Sequence, residues 1–63
     1  MGREKVIALF KKLIYEAGLG KQYKALYGAV IGYGLINSWA NEDEAEVKKC
    51  INELIDNWKN EYL

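Results

Sequence analysis

The chain has 63 residues, 51% hydrophobic and 29% charged, with nine basic and nine acidic side chains, one cysteine, no proline and no histidine. This excludes a disordered tail, an internal disulfide and histidine-based catalysis, and it suits uninterrupted helices. A domain of this size buries only about 60% of the surface its unfolded chain exposes, so with the usual staples missing, self-association is the expected remedy.

The chain begins directly with an amphipathic pattern. On a wheel of about 100° per residue, Val6, Ile7, Phe10, Leu13, Ile14 and Ala17 share one face while Lys5, Lys12 and Glu16 lie opposite, which predicts a first helix over 3–17. No secretory signal core or cleavage site precedes it, and Val6 stands where a myristoylation motif needs Ser or Thr, so a cytoplasmic protein without a lipid anchor is expected. Gly18 suits the left-handed residue after a helix, Leu19 its apolar partner, and Gly20 the opening of the next helix. So short a connection predicts antiparallel packing. Gly18-Leu19-Gly20-Lys21 also invites comparison with a phosphate loop, but Tyr15 and Gln22 stand where a Walker loop needs glycine and Ser or Thr. A helix-helix turn is the preferred reading, with a non-Walker anion site as its alternative.

The second predicted helix, 21–39, has a middle of twelve residues, 25–36, without one charge or amide. That run falls short of the roughly 18 to 20 residues that cross a bilayer, and Asn37 and Ser38 end it, so a core helix is expected. It carries Gly28, Gly32 and Gly34. Each costs about 1 kcal/mol in a helix interior relative to alanine, and a close packing contact is needed to offset roughly 3 kcal/mol. Leu26, Val30 and Tyr33 fall on one side and Tyr27 and Ile31 on another, so the helix is apolar nearly all round and reads as buried. Ala25, Gly28, Ala29 and Gly32 form a strip of small residues that would let another backbone approach, either inside the chain or from a second copy.

Asn41 followed by Glu44 reads as a capping box, and Glu42, Asp43 and Glu44 suit the positive end of a helix dipole. A third helix is therefore predicted over 42–62, with Val47, Cys50, Ile51, Leu54, Ile55, Trp58 and Tyr62 as its apolar stripe. No glycine or proline stands between Asn37 and Asn41, so the second and third helices could also run on as one bent helix. The fold expected is an all-α, three-helix antiparallel domain, packed as a homodimeric helical bundle.

Residues 1–40 carry six basic against two acidic side chains and residues 41–63 three against seven, so the halves are +4 and −4. Attraction between the first and third helices and a Glu44 to Lys48 pair would account for this; a surface that steers a charged partner is the functional alternative. Tyr15 lies on the polar side of its helix near Lys11 and Lys12, the composition of a recognition patch. Cys50 sits on an apolar stripe, where a thiol is a shielded and inert hydrophobe. Glu42, Asp43, Glu44 and Glu46 lack the spacing of an EF-hand loop. Neither an enzyme nor a metal or cofactor site is expected.

The leading functional expectation is a protein-binding module, an inhibitor or adaptor that covers a partner's surface through Lys11, Lys12 and Tyr15, as do many small phage and mobile-element proteins. The second is an oligomer that sequesters a nucleotide or similar small anion in an intersubunit groove, with Tyr23 or Tyr27 stacking and Lys21 or Lys24 supplying charge. Nucleic-acid binding ranks last, because the total charge is zero and the third helix is acidic.

Overall fold

The computed structural model describes residues 1–62. Among these, α1 (Arg3–Glu16) leads through a single 3₁₀ turn (Gly20–Gln22) into α2 (Tyr23–Gly32), followed by α3 (Leu35–Trp39) and α4 (Glu44–Tyr62), and no strand occurs.

The first helix forms because its apolar residues recur at helical spacing. Val6, Phe10 and Ile14 are buried as the wheel predicts, Leu9 joins them, and Ile7, Leu13 and Ala17 lie half-buried along the edges. The helix ends in a Schellman motif. Gly18 takes φ +79°, the Leu19 N–H donates to the Ile14 carbonyl at 3.0 Å, and the Gly18 N–H donates to the Tyr15 carbonyl at 3.1 Å. Leu19 folds back into the core at 2% exposure. Because these two amides turn inward to helix carbonyls, they are not available to a phosphate.

The second predicted helix is broken in two. Gly34 takes φ +71°, its N–H donates to the Ile31 carbonyl at 3.0 Å, and α3 then starts on a new axis. The glycine thus stands outside any helix interior, at a backbone position that favours it. Beyond it, Ile36 and Trp39 turn into the core. Asn41 closes α3 rather than opening α4, because its Nδ2 donates to the Asn37 carbonyl at 3.3 Å. The helix N-cap expected at Asn41 is accordingly displaced by two residues, to Asp43, with the N-cap bond alone and not the reciprocal bond of a capping box among the described residues. Asp43 Oδ1 accepts the Glu46 N–H at 2.9 Å, while the Asp43 carbonyl accepts the Val47 N–H at 3.0 Å. Helices α3 and α4 are therefore separate, with a capped end on each side of the loop.

Phe10 joins three helices at the centre of the core. Its ring centroid lies 5.9 Å from that of Tyr23 on α2 and 6.2 Å from that of Trp39 on α3. Val47, Ile51 and Ile55 bring α4 into the same cluster. The Met1 amino group donates to the carbonyls of Ala40 (3.1 Å) and Glu42 (2.9 Å), which sets the start of α1 beside the α3–α4 loop.

The buried, all-round apolar helix expected for the middle of the chain is not what forms. Only Leu26 and Val30 of α2 are buried, while Tyr33 is 83% and Ile31 42% exposed. Ala25, Gly28, Ala29 and Gly32 all face outward, and a Cβ added at Gly28 or Gly32 would meet nothing within 4 Å. Among the described residues no close contact over these two glycines offsets their helix cost. The accessible surface is 4299 Å², against about 4,100 Å² for a compact monomer of 7.2 kDa. The expected Glu44–Lys48 pair is present at 3.8 Å, exposed and worth about 0.3–0.5 kcal/mol, but no ion pair joins α1 to α4 among the described residues.

Gly28 and Gly34 respond to the same substitution with opposite sign. Gly28→Ala should stabilise the fold by about 0.5–1 kcal/mol, because the site is helical and open. Gly34→Ala should destabilise by about 1–2 kcal/mol through the backbone alone, since space is equally free there but φ is positive. Urea midpoints compared at constant slope check both; a shared sign would refute the break at Gly34.

Candidate functional site

A groove of about 600 Å³ lies between the α2–α3 corner and α4 from Cys50 to Glu61. On one side Leu26, Ala29, Val30 and Tyr33 follow one another at helical spacing along α2, and Leu35 and Trp39 continue the surface onto α3. Across from them stand Cys50, Leu54 and Trp58, each half-buried on the outer edge of the α4 stripe. Glu53, Asn57, Asn60 and Glu61 give that wall its polar groups. The space is left open because Ala29 is small where α2 faces α4 and because the break at Gly34 leaves Tyr33 outside the core.

Both tryptophans of the chain line this groove. Trp39 belongs to the core through Phe10, whereas Trp58 packs against Tyr62 with ring centroids 4.3 Å apart. The Trp58 indole N–H is buried without an acceptor among the described residues, an arrangement that costs about 1–3 kcal/mol. Cys50, expected to be shielded, is a partly buried residue. Burial still pushes its pKa up, with the carboxylates of Glu46, Glu53 and Glu42 acting in the same direction and Lys49 opposing them.

A second surface gathers residues singled out from the sequence. The rings of Tyr15 and Tyr23 lie 6.0 Å apart, Tyr23 and Tyr27 stack at 5.7 Å and 24°, and Lys11 Nζ sits 5.8 Å from the Tyr23 centroid. Such a cation–π contact contributes about 0.5–1 kcal/mol at an exposed site. Tyr15 is 55% exposed, and its ring lies over Gly20, where an added Cβ would come within 2.8 Å of it. Desolvation raises the Tyr23 pKa, helped by its neighbours Tyr27 and Tyr15. Lys11 and Tyr15 thus join Tyr23 and Tyr27 in one row, while Lys12, Lys21 and Lys24 are exposed outside these ring contacts.

Of the small-residue strip, only Ala29 lines the groove. Tyr33, Trp39, Glu53 and Trp58 form its walls, yet the sequence reading assigned them no site role. The usable signal was Gly32-Tyr33-Gly34: a glycine at that point is a helix-stop pattern, and stopping α2 there leaves Tyr33 exposed and turns Trp39 inward. No helix among the described residues is long and apolar enough to cross a membrane. The chain matches no known protein family, no curated protein and no solved structure.

The raised Cys50 pKa has a definite sign. The folded chain holds the thiol proton more tightly than the unfolded chain, so this group's contribution to stability is present below the ordinary thiol pKa and is lost as pH rises through the folded value. Iodoacetamide should alkylate native Cys50 more slowly than the urea-unfolded chain, with the native rate rising at a pH above that of the unfolded thiol. Equal rates at every pH would show that the groove wall does not desolvate the sulfur.

Proposed function

We propose that the protein is a small non-enzymatic protein-interaction module, an inhibitor or adaptor, that holds an apolar segment of a partner in the groove between α2, α3 and α4. What carries this reading is the groove itself: about 600 Å³ of mainly apolar space in a chain of 63 residues, walled by Tyr33, Trp39 and Trp58. Tyrosine and tryptophan are the residues that most often dominate binding energy; here Trp58 is half-buried in the wall and Tyr33 stands exposed at its rim. The tyrosine row is the weaker candidate, because Tyr15, Tyr23 and Tyr27 already spend ring faces on one another.

Sequestration of a small anion finds less support. The intersubunit groove it needs would have to form beside Tyr23 and Tyr27, whose rings already stack on each other, and neither Lys21 nor Lys24 takes part in a cation–π contact among the described residues. Nucleic-acid binding through the basic α1 has the zero net charge of the chain against it.

A photo-crosslinking residue placed at Ala29 should form a discrete protein adduct in cells that express the chain, whereas the same residue at exposed Lys59 should not. Ala29→Trp, combined with a crosslinker at Tyr33, should reduce that adduct by about tenfold, equivalent to ~1.4 kcal/mol. Absence of any groove-specific adduct would remove the reading.

A homodimer through the strip of α2 is a second reading, favoured by the outward-facing Ala25, Gly28, Ala29 and Gly32 and the clear space over both glycines. Small residues there would permit close approach of a second α2, and two-fold pairing is the commonest assembly. Gly28→Leu should then lower dimer affinity by about 1–3 kcal/mol while leaving helix content intact. Light scattering at high concentration decides the matter, since a wild-type mass of 7.2 kDa would exclude this assembly.

A further inference from the structure

Resting on the interaction-module reading, we infer that the occupant of the groove is an amphipathic helix of another protein, carrying Lys or Arg beside its apolar stripe. The groove is bounded by helices on both sides, and its apolar residues on α2, Leu26, Val30 and Tyr33, repeat at the three- and four-residue spacing of a helix face. A third helix laid between them would present its own stripe at matching intervals, the geometry of helix-in-groove recognition.

Charge selects among such helices. Glu53 and Glu61 stand on the α4 wall, no Lys or Arg lines the groove, and neither carboxylate belongs to an ion pair among the described residues. A helix with acidic flanks would set like charges together, while one with basic flanks would place cations beside two accessible carboxylates. A second copy paired groove to groove is the poorer occupant on the same ground, because it would bring another acidic wall toward this one. The polar row Asn57 and Asn60 lies with the two glutamates and can exchange hydrogen bonds with the flanks of the incoming helix without requiring burial of charge.

Because both tryptophans line the groove, their emission reports its occupancy directly. The probes are synthetic, tryptophan-free peptides of about five helical turns: one with a leucine stripe flanked by lysine, one with glutamate replacing every lysine, and one of the first composition with the stripe scrambled. The lysine-flanked peptide should shift the emission, gain helical circular dichroism on binding and weaken as salt is added. It should bind at least about tenfold more tightly than either of the others. The Glu53→Lys, Glu61→Lys double variant, checked for unchanged helix content, should lose about tenfold in affinity for it and show a flatter salt dependence.

Equal binding of the lysine and glutamate peptides would overturn the charge selection, and equal binding of the scrambled peptide would overturn the helix. If no peptide binds while the crosslinker at Ala29 still captures a protein, the occupant is of another kind and the module reading stands. If neither occurs, both fall. A dimer of the protein alone that Ala29→Trp abolishes, with the tryptophan shift appearing on concentration, would identify a second copy as the occupant and reject the inference.

Discussion

Because Gly34 holds a left-handed backbone, α2 cannot run on into α3, and the chain changes direction within two residues. A continuous helix over 21–39 would run for about 28 Å, nearly the full 30 Å length of the molecule. Trp39 would then stand far from Phe10 instead of 6.2 Å from it. The break shortens that path and lets α1, α2 and α3 meet around one aromatic ring. It also creates the corner at which Tyr33 remains outside while Leu35 and Trp39 continue the groove surface. The core and the candidate site thus depend on the same residue.

The two aromatic surfaces differ in what remains for a partner to gain. In the tyrosine row the rings lie against one another, and Lys11 lies over one of them, so its contacts are made within the chain. In the groove, the α2 wall and the α4 wall face each other across open space, and the buried indole N–H of Trp58 has no acceptor among the described residues. Apolar area that a single copy leaves uncovered contributes about 25 cal/mol per Å² when a partner removes it from water. The groove offers that gain in concave form, where a partner's side chains can be surrounded. The small-residue strip presents less apolar area, since its members are glycine and alanine.

Charge follows the same division. The acidic excess of residues 41–63 is not cancelled by ion pairs to α1; the pair observed is local to α4, between Glu44 and Lys48. Carboxylates left in this way on the wall of an apolar groove act at a distance of about one Debye length, near 8 Å at physiological salt. On a partner bound there they would govern approach and orientation more than final affinity.

The sequence by itself determined the elements whose cause is local. Helical spacing placed Val6, Phe10 and Ile14 on the buried face of α1 and Val47, Ile51 and Ile55 on that of α4, and Gly18 announced the left-handed end of α1 with Leu19 folded beneath it. Such features follow from periodicity and single-residue backbone preferences, which need no distant partner. The tertiary structure decided what two equivalent local signals would do. Gly28, Gly32 and Gly34 look alike in the chain, yet only Gly34 takes a positive φ, because turning there brings Ile36 and Trp39 into a core that α1 and α4 complete. Asn41 and Asp43 are both competent caps; which one opens α4 was settled when Asn41 was drawn to the Asn37 carbonyl at the end of α3. The groove was illegible for the same reason, since its walls come from residues about thirty positions apart, Ala29 and Trp58 among them, and their separation is set by how two helices lean on a third.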